Sequence, residues 1–360
     1  MAQRTRRPRS PPQTAAKRRR TFLRQVGEGL SARHGDAVAV PVGESLLIPD
    51  ILPLRWSRLS DVDEQIPLNS DSLADNPAAD AKRDDHTREL LSDVAYKRLG
   101  IVNVVFFGKA NAGPNAWVLI DAGVPGTAGI IRRAAEERFG KDARPAAIIM
   151  THGHFDHAGA LETLAKEWDV PIYAHELELP YLNGSASYPA PDPSVGGGMM
   201  ALLSPIYPRG PYAVYRWLQS LPSDGSVPHM PAWKWIHVPG HTPGQVALWR
   251  EGDRVLLSAD AFITTRQESA YAVAVQKPEL HGPLAYYTQD WEASRISVER
   301  LAALEPELVI SGHGPAMQGP EMRAALQLLA RDFDKIAVPD DGKYVRDPAT
   351  AGTSDAYQPA

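Results

Sequence analysis

The chain has 360 residues, 43% hydrophobic and 22% charged, with a formal net charge of −5. That length buries a large core without covalent staples, and the modest charge points neither to nucleic acid nor to an anionic membrane as the partner. Cysteine is absent, which excludes disulfides, thiolate-bound zinc, iron–sulfur clusters and a cysteine nucleophile.

The N-terminal stretch departs from this average. Residues 4–24 carry many arginines and lysines and no acid. Within it, Arg19-Arg20-Thr21-Phe22-Leu23-Arg24 is similar to a twin-arginine export signal. The sequence that follows is too polar for the apolar core of a signal peptide. The expectation is a basic arm on a cytoplasmic protein, with periplasmic export through Arg19 and Arg20 as the alternative. Residues 1–93 read as an irregular extension, in which 37–54 offer an edge strand or two and 71–88 a polar loop.

The pattern sharpens near residue 95. Residues 101–107 and 116–120 are β-branched and aromatic runs joined by a turn-rich linker, which predicts a hairpin. Residues 127–139 have helical periodicity, with Ile130, Ile131, Ala134, Ala135 and Phe139 available to one face. A short buried strand at 146–150, a helix at 158–168 and a strand at 171–174 follow. Residues 183–232 are rich in Pro, Gly, Ser and Tyr. A loop this long inside a domain is functional or disordered, and its aromatic and Met content favours a lid or a substrate wall. Strands recur at 233–238, 245–250 and 254–258, the last two joined by Glu251-Gly252-Asp253. Helices at 290–304 and 320–337 flank a strand at 308–311, and residues 339–360 read as a polar, frayed tail. Strands alternating with helices over 94–338 predict an α/β layered domain.

The densest chemical signal is Thr151-His152-Gly153-His154-Phe155-Asp156-His157. Four ligand-type side chains lie within six residues where a strand ends and a helix begins. A purely structural reading needs one hydrogen-bond network to satisfy all four, so a metal site is the better reading. Further ligand types follow predicted strands: His241 in Pro239-Gly240-His241-Thr242-Pro243-Gly244, then Asp260, then His313 in Ser311-Gly312-His313-Gly314-Pro315. Strand ends converging on one edge are how α/β folds build sites. The isolated His34, His86, His175, His229, His237 and His281 read as ordinary core or surface residues.

Residues 97–335 resemble the metallo-β-lactamase-fold hydrolases, whose His-x-His-x-Asp-His motif and later His, Asp and His are all present here. The resemblance implies an αββα sandwich with metals at one edge. It implies that His152, His154 and His241 hold one divalent cation, that Asp156, His157 and His313 hold a second, and that Asp260 bridges the two. Zinc is the expected ion, with manganese or iron as alternatives. Two cations, less two carboxylates and a hydroxide, leave positive charge for a developing oxyanion. The bridging hydroxide would attack the substrate, and Asp156 would accept a proton as the intermediate collapses.

Departures from relatives narrow the chemistry. Lactamases that use cysteine are excluded, and Asp260 counts against the cysteine-free ones, which lack that bridge. His154 stands where flavodiiron proteins carry Glu. Gln245 stands where many relatives have His, at a position not expected to be a ligand. The cationic glutathione-binding segment of glyoxalase II-like thioesterases is not evident, nor is a basic, aromatic-interleaved block for nucleic acid. The expectation is hydrolysis of a small-molecule ester, lactone or thioester; a phosphotriesterase-like hydrolase and a mononuclear iron dioxygenase of the same fold are the alternatives. Tyr181, Tyr188, Met199, Met200, Tyr207 and Trp217 are candidate walls of a pocket for an uncharged, partly apolar substrate. Tyr271, eleven residues beyond Asp260, is the candidate donor to a substrate carbonyl.

Overall fold

The computed structural model describes residues 65–75, 87–353 and 355–360. The basic segment with Arg19 and Arg20, residues 37–54, His34 and His86 lie outside the described residues.

The first half of the domain runs β1 (Ile66–Pro67), β2 (Arg88–Leu91), β3 (Val94–Leu99), β4 (Val102–Phe107), β5 (Val118–Ile120), α1 (Ala128–Phe139), β6 (Ala147–Ile149), α2 (Phe155–Ala158), α3 (Leu161–Trp168), β7 (Ile172–Ala174), α4 (Leu179–Leu182), β8 (Ala186–Ser187), α5 (Gly198–Leu203) and β9 (Leu218–Ser220). Seven of these strands form one sheet in the order β2-β3-β4-β5-β6-β7-β9. Pairing is antiparallel from β2 to β5 and parallel from β5 to β9. Period-two alternation sorts β4 between two cores. Val102, Val104 and Phe106 pack under α1 and α3, while Val105 faces the other way.

The second half runs β10 (Trp233–His237), β11 (Val246–Arg250), β12 (Val255–Ala259), α6 (Ala270–Val275), β13 (Glu279–Leu280), α7 (Trp291–Ala302), β14 (Leu308–Ser311), β15 (Met317–Gln318), α8 (Gly319–Arg331), α9 (Phe333–Ile336), α10 (Lys343–Arg346) and β16 (Gln358–Pro359). A five-stranded sheet has the order β10-β11-β12-β14-β15. Its inner residues Val246, Leu248, Val255, Leu257 and Ile310 share one core with Val94, Tyr96, Ile120 and Ile149 of the larger sheet. On its other face Ala247, Leu256 and Val309 pack with Val298 and Leu301 of α7 and Leu326 of α8. The layers are therefore helix, sheet, sheet, helix, the expected αββα sandwich.

Four sequence expectations need correction. The large sheet begins on the N-terminal side of residue 94, because β2 pairs with β3, and β1 also lies before residue 94, in a separate two-stranded pair with β13. The insert at 183–232 is not one long loop: β9 extends the large sheet through Ile172↔Leu218. It is too short and polar to show a period. The helix placed at 158–168 starts later, as α3 at Leu161, with only Ala158 belonging to the separate turn α2, and the one at 320–337 breaks at Asp332 into α8 and α9. The C-terminal residues are anchored rather than frayed. Tyr344 and Ala356 are buried, and β16 pairs with β8 through Gln358↔Ser187. Single anchors in a polar stretch do not register in composition. No helix among the described residues is long and apolar enough to cross a membrane.

Candidate metal centre

Each ligand-type residue stands just beyond a strand end. The run from Thr151 follows β6, and α2 opens immediately after His154. His241 lies in the turn between β10 and β11, Asp260 follows β12 and His313 follows β14. Because β5, β6 and β7 are parallel, and β12 and β14 are parallel, their C-terminal ends lie on one edge of each sheet. There the seven residues meet, and all are buried.

Among the described residues, three overlapping groups have donor atoms close enough to hold a cation: His152, His154 and His241; His152, His157 and Asp260; Asp156, His157 and His313. Asp260 is the centre. Its Oδ2 lies 3.1 Å from His313 Nε2, 3.5 Å from His241 Nε2 and 4.0 Å from His152 Nε2, and its Oδ1 lies 3.5 Å from His157 Nε2. His313 Nε2 is also 3.4 Å from Asp156 Oδ2. Nδ1 of His154 stands 3.0 Å from Nε2 of His241, a spacing close to the edge of a tetrahedral nitrogen site, about 3.3 Å.

The outer ring nitrogens set the tautomers. His157 Nδ1 donates to Asp121 Oδ2 at 2.8 Å, and His313 Nδ1 to the carbonyl of Ile101 at 2.5 Å. Thr288 gives its hydroxyl proton to Leu284 O and so receives His241 Nδ1–H at 3.4 Å. Thr151 gives its proton to Asp121 and receives His152 Nδ1–H at 3.1 Å. Holding the proton at Nδ1 turns an Nε2 lone pair toward the cluster. Nε2 of His152, Nε2 of His157 and Oδ1 of Asp260 are buried there without a hydrogen-bond partner. Buried polar atoms left this way cost several kcal/mol each, and lone pairs converging on one carboxylate repel unless a cation or proton lies between. The donor set fits a pair of cations.

The electrostatics agree. Burial, and then the charges of neighbouring histidines, hold His152 and His154 well below ordinary imidazole, and burial brings His241 to about 4. Neutral rings are the form that binds metal. Burial would lower His157 and His313 and is the largest single influence on each, but the carboxylates beside them, Asp260 and Asp121 at His157 and Asp260 and Asp156 at His313, together raise both. Burial would raise Asp260; His313 and His157 instead hold it well below the usual carboxylate range. Burial raises Asp156.

The structure also shows what spacing missed. Asp121 ends β5 beside Thr151 and accepts from it twice, through N–H and O–H, both at 2.8 Å. The Asp-Ala-Gly at the end of that strand was the available signal. Tyr287 stacks on His154 with ring centroids 4.5 Å apart, and Tyr188 lies 4.4 Å from the same ring. Tyr271 is not brought to the cluster: it sits on α6 with 72% of its surface exposed. Of the candidate wall residues, Tyr207 reaches Phe155 at 5.2 Å and its hydroxyl meets Met200 Sδ at 3.7 Å. Met199 is exposed, and Trp217 donates to Asp169. Tyr181 and Tyr188 stack on each other in a small core of their own. His175 and His237 stack on each other, and neither belongs to the three donor groups.

A layered fold with a buried His and Asp cluster at its strand ends defines a metallo-hydrolase. The chain belongs to the metallo-beta-lactamase superfamily, whose sequence profile matches residues 98–313. It is 47% identical over 232 residues to the probable metallo-hydrolase YflN of Bacillus subtilis (strain 168), covering 64% of this chain and 88% of that protein. The probable metallo-hydrolase YybB of the same organism is 30% identical over 170 residues, covering 47% of this chain and 64% of that one. Among solved structures, a beta-lactamase domain protein from Burkholderia ambifaria has the same fold, with a TM-score of 0.50 at 20% identity over 74% of this chain and 79% of that chain.

Proposed function

We propose that the chain hydrolyses a small-molecule ester, lactone or thioester with two divalent cations. One would sit on His152, His154 and His241, the other on Asp156, His157 and His313, with Asp260 between them. The observation that carries this reading is the Asp260 carboxylate, whose two oxygens face donor atoms of both groups. When bound, such a pair activates a shared water near neutral pH and polarises a substrate oxygen. Zinc suits the nitrogen-rich donor set, as do manganese and iron.

The chain's own residues supply orientation, a dry setting and a proton acceptor. Asp121, Ile101, Thr288 and Thr151 fix four imidazoles. Asp156 would accept the proton of the newly added hydroxyl as the C–O or C–S bond breaks and pass it to the departing oxygen or sulfur. Phe155, Met200, Tyr207, Tyr286 and Tyr287 pack together beside the cluster, and Tyr286 and Tyr287 rings lie 5.0 Å apart. An uncharged aromatic wall suits a partly apolar substrate. The Tyr287 hydroxyl is buried without a partner, which makes it the donor for a substrate carbonyl in place of Tyr271.

Metal analysis of the purified protein, alongside a screen of lactones, thioesters, aryl esters and phosphotriesters, tests the reading. Two ions per chain with turnover of one carbonyl class is the expected result. A single iron with oxygen uptake, or turnover of phosphotriesters alone, overturns it. Asp260→Ala should lose one cation and the activity; full activity in that variant would remove Asp260 from its bridging role.

A further inference from the structure

Glu178 lies outside the ligand cluster, at the end of the 3-10 turn Glu176–Glu178 that follows β7, and it is completely buried. Its carboxylate receives four donors. Oε2 accepts from Gly153 N–H at 3.0 Å and from the Tyr188 hydroxyl. Oε1 accepts from the Thr242 hydroxyl at 2.8 Å and from Gly244 N–H at 2.9 Å. Gly153 sits between His152 and His154, and Thr242 follows His241. One carboxylate thus ties together two loops, one from each sheet, that carry the three histidines of the first group.

The surroundings are built for this contact. A Cβ on Gly153 would fall 2.8 Å from the Tyr188 hydroxyl oxygen, and one on Gly244 would fall 2.8 Å from Glu178 Cγ. Tyr188 also receives Gly153 N–H at 2.8 Å. Behind it, Tyr181 stacks on Tyr188 at 3.7 Å and on Tyr357 at 5.1 Å. Tyr181 donates to the carbonyl of Ala356 at 2.9 Å, and Tyr357 to that of Leu177 at 3.0 Å. Residues 356–359 therefore brace the segment that carries Glu178 and Tyr188.

We propose that Glu178 is a positioning residue that sets the spacing of His152 and His154 against His241, and with it the cation affinity of that group. The proposal rests on the metal reading above. A carboxylate has acceptors only, so two oxygens can satisfy four donors, and hydrogen bonds to a charged acceptor are the strong ones. Glutamine has the same shape but carries an NH2 group. Whichever way it turns, that group meets a backbone N–H, either Gly153 or Gly244, and one loop is released. Residues that orient metal ligands from behind typically change affinity by about 10- to 100-fold.

The experiment is cobalt(II) titration of the metal-free full chain, followed by visible absorption, with thermal unfolding in parallel. Wild type should take two equivalents. Glu178→Gln should weaken one of them at least about tenfold and leave the other within a few-fold. Thr242→Val, which removes one donor, should weaken the same equivalent less, and Thr242→Ser should restore it. A role in folding alone would lower the unfolding temperature and leave both affinities unchanged, which overturns the proposal. Should Glu178→Gln not fold, the threonine pair decides: equal cobalt affinity in the Val and Ser variants overturns it. A wild type that takes up no cobalt would bring down the metal reading and this proposal together.

Discussion

Asp121 holds His157 from outside the ligand set, its Oδ2 accepting the Nδ1–H bond at 2.8 Å. The same carboxylate takes two bonds from Thr151, so it ties the end of β5 to the start of the ligand run. Asp121 adopts a left-handed backbone, φ 60°, a conformation that Asp tolerates better than most residues.

Replacing Asp121 should therefore act on cation binding and stability together. In Asp121→Ala we expect cation affinity to fall by about 10- to 100-fold. Each buried donor left unpaired should cost about 1–3 kcal/mol of unfolding free energy. Metal titration and urea denaturation measure the two. Wild-type affinity in this variant would mean that Asp260 alone orients His157.

Gly312 precedes His313, and a Cβ there would lie 2.0 Å from Asp260 Oδ1 and 2.8 Å from His157 Cε1. Its backbone is not in the left-handed region, so the contact alone is at issue. Gly312→Ala should displace Asp260 and lower kcat by about 100-fold, the order expected for a misplacement near 1 Å. Circular dichroism should show the fold retained. Undiminished turnover would argue against Asp260 as the centre.

His175 caps the turn that presents Glu178, its Nδ1 accepting Leu177 N–H at 3.3 Å. Burial, and then the charge of His237, lowers His175 to about 4 from an ordinary 6.5. The unfolded chain then binds the extra proton between those values, so stability is full above pH 6.5 and is lost as pH falls toward 4. His152, His154 and His241 act in the same direction, so the comparison must be between variants. In metal-free protein, His175→Asn keeps a capping acceptor and should lose less thermal stability than wild type across that interval. Parallel curves would assign the acid sensitivity elsewhere.

Tyr287→Phe keeps the ring stacked on His154 and removes only the hydroxyl. On the substrate class found by screening, kcat should fall by about 100-fold, as when one donor to a developing oxyanion is lost. Tyr271→Phe should match wild type. The opposite pattern would return the donor role to Tyr271.

Helix limits were legible where periodicity ran unbroken. Residues 127–139 became α1 (Ala128–Phe139) because one face meets a single apolar layer. The seven ligand-type residues were legible because they cluster in one run or follow strands in short turns. β9 was not, since one half-buried and two exposed residues in a Pro- and Gly-rich stretch have no period. Nor was the packing of Tyr344, Ala349 and Ala356, where burial falls on isolated residues of a polar stretch.

The sequence by itself determined which ligand chemistry the chain carries and that it stands at strand ends, because both are local: residue type, and a period of two or 3.6. Only the tertiary structure decided that His152, His157, His241 and His313 all turn toward Asp260. It alone put Glu178 between the loops of His154 and His241, and Tyr287 rather than Tyr271 against an imidazole. These contacts join residues tens to more than a hundred positions apart, and their geometry follows from which strands pair and in what register.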